Sequence, residues 1–175
     1  MKKLITISLL ASIGLLFSCG KDDGPAVSAN GSFTFNGESY ALTHAYKEDF
    51  GVNENGSFDV DITLTSKSVD FNAGNFNDLT FVYLDLNTSM QNVLEAGTYT
   101  YGLERDEFVM VDGIVGVNVN VDNDGNITSG TSFEVTGGTV TVSVESDNYS
   151  ISFMLTGNEN ERATGSFTGI LTQQD

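Results

Sequence analysis

Apolar and polar residues alternate at nearly every second position from Ser32 to the end of the chain. The pattern is clearest in residues 57–66 (SFDVDITLTS), 139–145 (TVTVSVE) and 149–155 (YSISFML). Because a period of two puts successive side chains on opposite faces, each segment predicts a strand with one buried and one wet face. The pair Asn36-Gly37 is typical of a type I′ hairpin, since both residues tolerate positive φ.

Residues 79–86 (LTFVYLDL) differ from the other segments because they are apolar on both faces. We expect a central strand there, covered on both sides. The whole pattern predicts about nine or ten strands and one short helical turn over residues 89–94. The fold class is therefore all-β, either a single antiparallel barrel of calycin-like type or a two-sheet β-sandwich, since alternation is the same in both.

The first 18 residues form a different kind of segment. Lys2 and Lys3 precede a mainly apolar run over residues 4–17. The run is shorter than the roughly 20 residues that cross a bilayer, so it predicts a secretory signal peptide. It ends at Leu16-Phe17-Ser18-Cys19, which resembles the lipobox of bacterial lipoproteins, although Phe17 is bulkier than the usual residue at that position.

Cys19 is the only cysteine of the chain. The lipobox resemblance implies that its thiol carries a diacylglyceryl group and that cleavage leaves Cys19 as the first residue of the mature protein. Two or more acyl chains anchor a protein stably to a membrane. We therefore expect a signal peptide over residues 1–18, the lipidated cysteine and a flexible tether over 19–31, and an all-β domain over 32–175.

Lys21, Asp22 and Asp23 follow the cysteine closely. A lysine and two acids at this place resemble the lipoprotein export signal of Bacteroidetes. The resemblance implies an outer-membrane lipoprotein exposed at the cell surface. The alternative location is the leaflet of the outer membrane that faces the periplasm.

The composition is strongly acidic, with 24 Asp and Glu against seven Lys and Arg and a formal net charge of −17. Such a surface repels phosphate backbones, so we expect no nucleic-acid partner. The expected partner is the outer membrane, reached through the lipid anchor.

The last third of the chain resembles the closing segment of Bacteroidetes surface lipoproteins. Residues 138–140, 149–153 and 164–169 match their Gly-Thr-Val, Tyr-x-Ile-x-Phe and Thr-Gly-Ser-Phe-x-Gly strands. Residues 94–99 (LEAGTY) resemble a recurrent Leu-x-x-Gly-Thr-Tyr element, and residues 35–42 (FNGESYAL) an opening strand pair. Some of these relatives are described as lipocalin-like, which implies a barrel with a mouth and no particular catalytic residues.

Few residues suit catalysis or a cofactor. His44 is the only histidine, and it shares a strand face with apolar and aromatic residues, as a core or rim histidine does. With Cys19 acylated, we expect neither a nucleophile–histidine arrangement nor a zinc site, and no cofactor. Acids at Glu48-Asp49 and over residues 104–107 (ERDE) leave a small carboxylate-based hydrolase as an unfavoured alternative, since charged loop residues are ordinarily solvated.

One segment resembles half of a calcium loop. Asn120, Asp122, Asp124 and Asn126 place oxygen-bearing side chains at alternate positions around a glycine, as the first half of an EF-hand loop does. Thr131 stands where the bidentate glutamate of that loop belongs, and the flanking segments predict strands. An ordinary hairpin turn is the favoured interpretation, and a calcium site is the alternative.

These observations predict a non-enzymatic binding or interaction module on the cell surface, with a small apolar or glycan ligand in a barrel interior or mouth. The first alternative is a glycan-binding accessory lipoprotein of a polysaccharide-uptake system. The chain has 12 Phe and six Tyr but no Trp, the strongest stacking residue for sugars. The alternation assigns most of these aromatic residues to the core.

Overall fold

The computed structural model describes residues 30–174, which form twelve strands and one turn of 3₁₀ helix at Phe71–Ala73. The strands are β1 Gly31–Phe35, β2 Glu38–Leu42, β3 His44–Val52, β4 Phe58–Thr65, β5 Phe76–Thr88, β6 Gly97–Tyr101, β7 Val109–Val121, β8 Ile127–Glu134, β9 Gly137–Glu145, β10 Asn148–Thr156, β11 Arg162–Gly169 and β12 Thr172–Gln173. Among these described residues, no helix is long and apolar enough to cross a membrane.

All twelve strands belong to one strongly curled sheet in the order β12-β3-β4-β5-β7-β6-β9-β10-β11-β1-β2, with β8 paired to β7 beside this path. The last strand in the order, β2, runs into β3 through the single residue Thr43. The backbone N–H of Thr43 donates to the carbonyl of Thr65, 2.7 Å away. The chain at Thr43 therefore joins β2, at one end of the strand order, to β3, the second strand from the other end. The predicted all-β class is confirmed.

Local sequence signals account for the tight connections. Asn36 and Gly37 adopt φ values of 53° and 81°, as the predicted type I′ hairpin requires. Most neighbouring strands are antiparallel, and only β6–β7 and β12–β3 are parallel among the pairs of residues 30–174. The strand count exceeds the predicted nine or ten, since Thr43 divides one long strand in two and β12 has only two residues. The helical turn predicted over 89–94 is wrong, because this segment consists of bends and turns.

The inward face of the sheet forms one continuous apolar core. The alternating positions of β4, β9 and β10 supply their apolar residues to it, as period two predicts. Fully or almost fully buried side chains include Phe33, Phe35, Leu42, Val60, Ile62, Leu64, Val82, Leu84, Leu86, Val140, Val142, Ile151, Phe153, Leu155 and Phe167. The interior is thus filled with side chains, so side chains that are accessible to a ligand lie on the outer face.

Candidate functional site: a carboxylate row beside an aromatic groove

The candidate calcium segment forms the hairpin between β7 and β8. The Asp122 carboxylate accepts hydrogen bonds from the backbone N–H of Asp124 (3.0 Å) and of Asn126 (2.9 Å). The hydrogen bond from the Asn126 backbone is the main reason that the pKa of Asp122 lies below its usual range. The Asn120 side chain instead accepts from the backbone N–H of Asp78, at 2.8 Å. These two oxygen-bearing side chains therefore serve the backbone of the turn and of β5.

His44 lies half-buried at the start of β3. Its Nδ1 is 2.8 Å from Thr43 Oγ1, and the ring borders an open surface depression of about 450 Å³ that also contacts Asn30. Leu42 and Ala45 both belong to the core, so the alternation is interrupted at Thr43 and His44 does not share the inward face of Leu42, as the single predicted strand required. The predicted signal peptide, Cys19, Lys21, Asp22 and Asp23 lie outside the described residues.

Four acidic residues stand directly opposite one another on four neighbouring strands. Glu48 of β3 pairs with Asp61 of β4, Asp61 with Asp85 of β5, and Asp85 with Asp112 of β7. Directly paired residues of an antiparallel ladder project from the same face, so these side chains form one line across the outer face. We call this line the carboxylate row. Like charges in such positions destabilise a sheet, so the row is not explained by packing.

Arg105 binds two acids of this surface, Asp85 of the row and the nearby Asp59. Its guanidinium donates two hydrogen bonds to Asp85, at 2.8 and 3.1 Å, and one to Asp59, at 2.7 Å. The carbonyl of Arg105 in turn accepts hydrogen bonds from Asn55 and Ser57, so the β3–β4 turn positions the arginine loop. A planar guanidinium suits this bidentate contact with a carboxylate.

Asp61 pairs with Asp85 in the row but has no hydrogen bond to Arg105. One of its oxygens accepts a hydrogen bond from the Tyr83 hydroxyl at 2.7 Å. The pKa of Asp61 is raised to about 7, chiefly by burial; the hydrogen bond from Tyr83 opposes this change, and the charges of the neighbouring acids Asp85, Asp59 and Glu48 add to it. Near neutral pH, Asp61 is therefore present in both its protonated and its ionised form.

Asp85 has a perturbed pKa as well. Burial raises the pKa of Asp85 to about 6, while the hydrogen bond and charge of Arg105 oppose this change. Burial also raises the pKa of Tyr83, with Asp61 adding to the effect. The phenol therefore stays protonated and continues to donate to Asp61.

An apolar groove of about 260 Å³ lies next to the row on the same outer face. It is lined chiefly by side chains of β5, β7 and β8 together with the 3₁₀ turn, including Phe71, Phe76, Phe81, Tyr83, Ile114 and Ile127. We call it the aromatic groove. Tyr83 belongs to both features, because its ring lines the groove and its hydroxyl contacts Asp61.

Two local features hold the aromatic rings in place. Gly116 pairs with Phe81, and a Cβ at Gly116 would lie 2.5 Å from the Phe81 ring, so only glycine leaves room for it. At the opposite side, the Phe71 ring makes edge contacts with Tyr46 and Phe76, with ring centroids 5.1 and 5.9 Å away. Edge contacts of this kind stabilise a defined ring orientation. Phe71 nevertheless keeps 39% of its surface exposed.

Chemically, the site combines exposed hydrocarbon with excess negative charge. Oxygens of Asp59, Asp61 and Asp85 lie within 4.8 Å of one another, which is close enough for three ligands of one cation. The Arg105 guanidinium already binds two of these three residues. Arg105 therefore supplies the positive charge of this cluster, and Asp61 is the one acid of the three that forms no ion pair with it.

The sequence pattern predicts Asp59 and Asp61 on a solvated strand face and Glu48 beside Asp49 in a loop. The loop prediction is wrong, because Glu48 lies within β3. One available signal was Asp85, a charged residue within the otherwise apolar segment 79–86. An acid there predicts a partner, because buried charges are ordinarily paired.

The chain matches no protein-family model, no curated protein and no solved structure. The resemblance to Bacteroidetes lipoproteins with a lipocalin-like domain therefore stays a prediction. The function is argued from the geometry of the site and from the N-terminal sequence.

Proposed function

We propose that this chain is a lipid-anchored lipoprotein of the outer membrane, exposed at the cell surface, whose β domain is a non-enzymatic binding module for a small ligand. Supporting the anchor is the sequence Leu16-Phe17-Ser18-Cys19 after the apolar run, followed by Lys21-Asp22-Asp23. The observation that carries the binding activity is the aromatic groove. Its side chains lie on the outer face, where the core does not need them.

The groove also changes where the ligand is expected. The interior of the sheet is filled by the apolar core, whereas the groove leaves Phe71 and its neighbours open to solvent. Apolar surface in a concave site with a few polar groups at its edge is typical of small-molecule sites. We therefore place the ligand on the outer face of β4, β5 and β7.

The anchor is tested by mass spectrometry and fractionation of the protein expressed in a bacterium that acylates lipoproteins. The proposal expects a diacylglyceryl or triacyl adduct on Cys19 and recovery with outer membranes, and it expects Cys19→Ser to release the protein. An unmodified Cys19 in the wild-type protein would refute the anchor. Accessibility to protease added to intact cells separates the surface from the periplasmic leaflet.

The binding activity is tested by ¹⁵N NMR of the mature chain, titrated with 4-phenylbutanol as a small apolar probe. We expect shifts confined to amides of β4, β5, β7 and β8, and weaker binding by Phe81→Ala. Shifts spread evenly over the surface would contradict a defined site.

A glycan ligand is the second candidate, and the combination of aromatic rings with neighbouring carboxylates favours it. Rings stack on sugar faces, and carboxylates accept hydrogen bonds from sugar hydroxyls. A glycan array with the mature chain tests this candidate. Binding that depends on both Phe81 and Asp61 would support a glycan-binding accessory role in polysaccharide uptake.

A carboxylate-based hydrolase is a third candidate, favoured by one observation. The pKa of Asp61 is raised to about 7, and oxygens of Asp59 and Asp85 lie within 4.8 Å. A carboxylic acid with a raised pKa beside an ionised carboxylate is the arrangement found in glycosidases. Turnover of glycoside substrates that disappears in Asp61→Asn would establish the activity in place of the non-enzymatic role, whereas turnover that persists in this variant would exclude the site.

A further inference from the structure

We propose that the aromatic groove and the carboxylate row together bind a small amphipathic cation, an organic amine whose apolar body lies in the groove and whose ammonium group lies on the row. This inference deepens the proposed binding function and rests on it, because it names the ligand class of the same site. It does not depend on the lipid anchor.

The groove fits the apolar part of such a ligand. Its volume is about 260 Å³, and a cavity of about 150 Å³ already accepts benzene in other proteins. Rings from Phe76, Phe81 and Tyr83 and the aliphatic side chains of Ile114 and Ile127 form most of its surface. A phenyl ring or a short alkyl chain therefore has hydrocarbon contacts on several sides.

The charge of the row fits the cationic part. Asp59 and the four residues of the row place five carboxylates on this face, and the Arg105 guanidinium contacts two of them, Asp59 and Asp85. The arginine is bound to Asp59 and Asp85, which leaves Asp61 for a second cation. Charge complementarity thus favours an amine over a neutral or anionic ligand.

The spacing between groove and row suits a short ligand. Asp61 lies two residues before Thr63 on β4, and Asp85 two residues after Tyr83 on β5, so each acid shares a face with a residue that lines the groove. Two residues of a strand span about 7 Å. A chain of four carbons between a ring and an amine covers a comparable distance. The Tyr83 ring adds a cation–π contact beside Asp61.

Binding is expected to depend on pH. The groups facing Asp61 from the neighbouring elements are Glu48 of β3, Asp59 of β4, Tyr83 and Asp85 of β5, Asp112 of β7 and Arg105 of the β6–β7 loop. An ammonium group stabilises the ionised form of Asp61, so binding releases a proton near neutral pH. Amine affinity should therefore rise between pH 6 and pH 8, over a range in which the amine itself stays charged.

The test compares three probes with the same apolar body: 4-phenylbutylamine, 4-phenylbutanol and 4-phenylbutyrate. Each is titrated into the mature chain, residues 19–175 carrying Cys19→Ser so that no detergent competes, at pH 8 and low salt. We expect the amine to bind about fivefold tighter than the alcohol, and the carboxylate to bind more weakly than both. Added salt should reduce the preference for the amine.

Two variants separate the groove from the row. Phe81→Ala should weaken amine and alcohol by the same factor, whereas Asp61→Asn should weaken the amine more than the alcohol and so remove the preference for the amine. Asp147→Asn, at the exposed tip between β9 and β10, is the control for an equal change in charge. NMR spectra report whether each variant is folded, and the shifts on the wild-type chain locate the site independently of any variant.

Equal affinities for amine and alcohol would overturn the cationic part of the proposal while the binding module stands. A preference that persists in Asp61→Asn would overturn the role of the row. Failure of all three probes to shift amides of the groove would overturn the site itself, and the lipid anchor, measured separately on Cys19, would be untouched by that result.

Discussion

The outer face of the sheet differs sharply between its two halves. Strands β1, β9, β10 and β11 form what we call the hydroxyl half, with Ser32, Thr34, Thr141, Ser143, Ser150, Ser152, Thr164, Ser166 and Thr168 exposed to solvent. Strands β3, β4, β5 and β7 form the carboxylate half, which carries the carboxylate row and most of the aromatic groove. Both halves bury the same kind of apolar core.

The fold requires each half to bury its apolar face, and it places no such requirement on the side chains of the outer face. On its outer face the hydroxyl half carries mainly small neutral side chains, with the exposed Met154 as an exception, and their contacts are weak pairs such as Ser150 and Thr168, 3.3 Å apart. The carboxylate half instead sets like charges opposite one another and leaves aromatic rings half-exposed, both of which cost stability. Residues that a fold does not need and that oppose its stability are candidates for function.

The largest expected effect comes from removing the arginine of the carboxylate half. Arg105→Met leaves Asp59 and Asp85 without their partner, and Asp85 keeps only 8% of its side chain exposed. Because Arg105 itself is 41% exposed, we expect a loss of about 2–3 kcal/mol in urea unfolding at pH 8 rather than the full value for a buried pair. The control is Arg162→Met in the exposed start of β11, which should cost less than about 0.5 kcal/mol. Equal losses for the two arginines would erase the contrast between the halves.

The next largest effect is a gain in folding stability, and it depends on pH. The folded pKa of Asp61 is raised from 3.8 to about 7, so between these values the folded chain holds a proton that the unfolded chain has released. This contribution to stability is full at low pH and is lost as pH rises towards 7.

Asp61→Asn removes that loss, because a neutral amide keeps the hydrogen bond from Tyr83. We expect the variant to be more stable than wild type by about 1–2 kcal/mol at pH 8, a fraction of the full linkage value since Asp61 is partly solvated. The difference should vanish near pH 4. Unfolding curves at both pH values check it, with Asp147→Asn as the control that should show no such gain.

A smaller loss of stability is expected at the contact between Gly116 and Phe81, whose ring lines the aromatic groove. Gly116→Ala puts a methyl group against the Phe81 ring, and the forced movement of the ring should cost about 1 kcal/mol. In a Phe81→Ala background the same change should cost nothing, so the double-mutant cycle isolates this contact. If Gly116→Ala costs the same in both backgrounds, Gly116 is not needed to make room for the Phe81 ring.

The smallest effect is expected in the hydroxyl half. Ser152 faces Thr141 and Ser166 across the ladder, so Ser152→Asp introduces a charge with no like-charged neighbour opposite it. We expect a change within about 0.5 kcal/mol in urea unfolding. A loss as large as that of Arg105→Met would show that the two halves tolerate charge equally.

Much of the fold follows from local pattern. The alternation of residues 57–66 anticipates β4, that of residues 139–155 anticipates the β9–β10 hairpin, and Asn36-Gly37 forms its predicted turn. These features depend on neighbours along the chain, which a sequence displays directly. The parallel pairings β6–β7 and β12–β3 depend on tertiary placement, and no local signal announces them.

The site could not be predicted in the same way. Asp61 faces Asp85 and Glu48 only because three strands pair in one particular register, and a shift of one residue would turn each acid to the opposite face. Arg105 reaches Asp85 from a loop 20 residues further along the chain. Alternation shows that Asp59 and Asp61 leave the core, but it does not show which side chains they meet.

The binding site is tested most directly by titrating the Asp61 carboxyl carbon by ¹³C NMR, with and without 4-phenylbutylamine. We predict a pKa of about 7 in the free protein and a clear decrease when the amine binds, because the ammonium group stabilises the carboxylate. A pKa near 4 in the free protein, or a raised pKa that the amine leaves unchanged, would contradict this prediction.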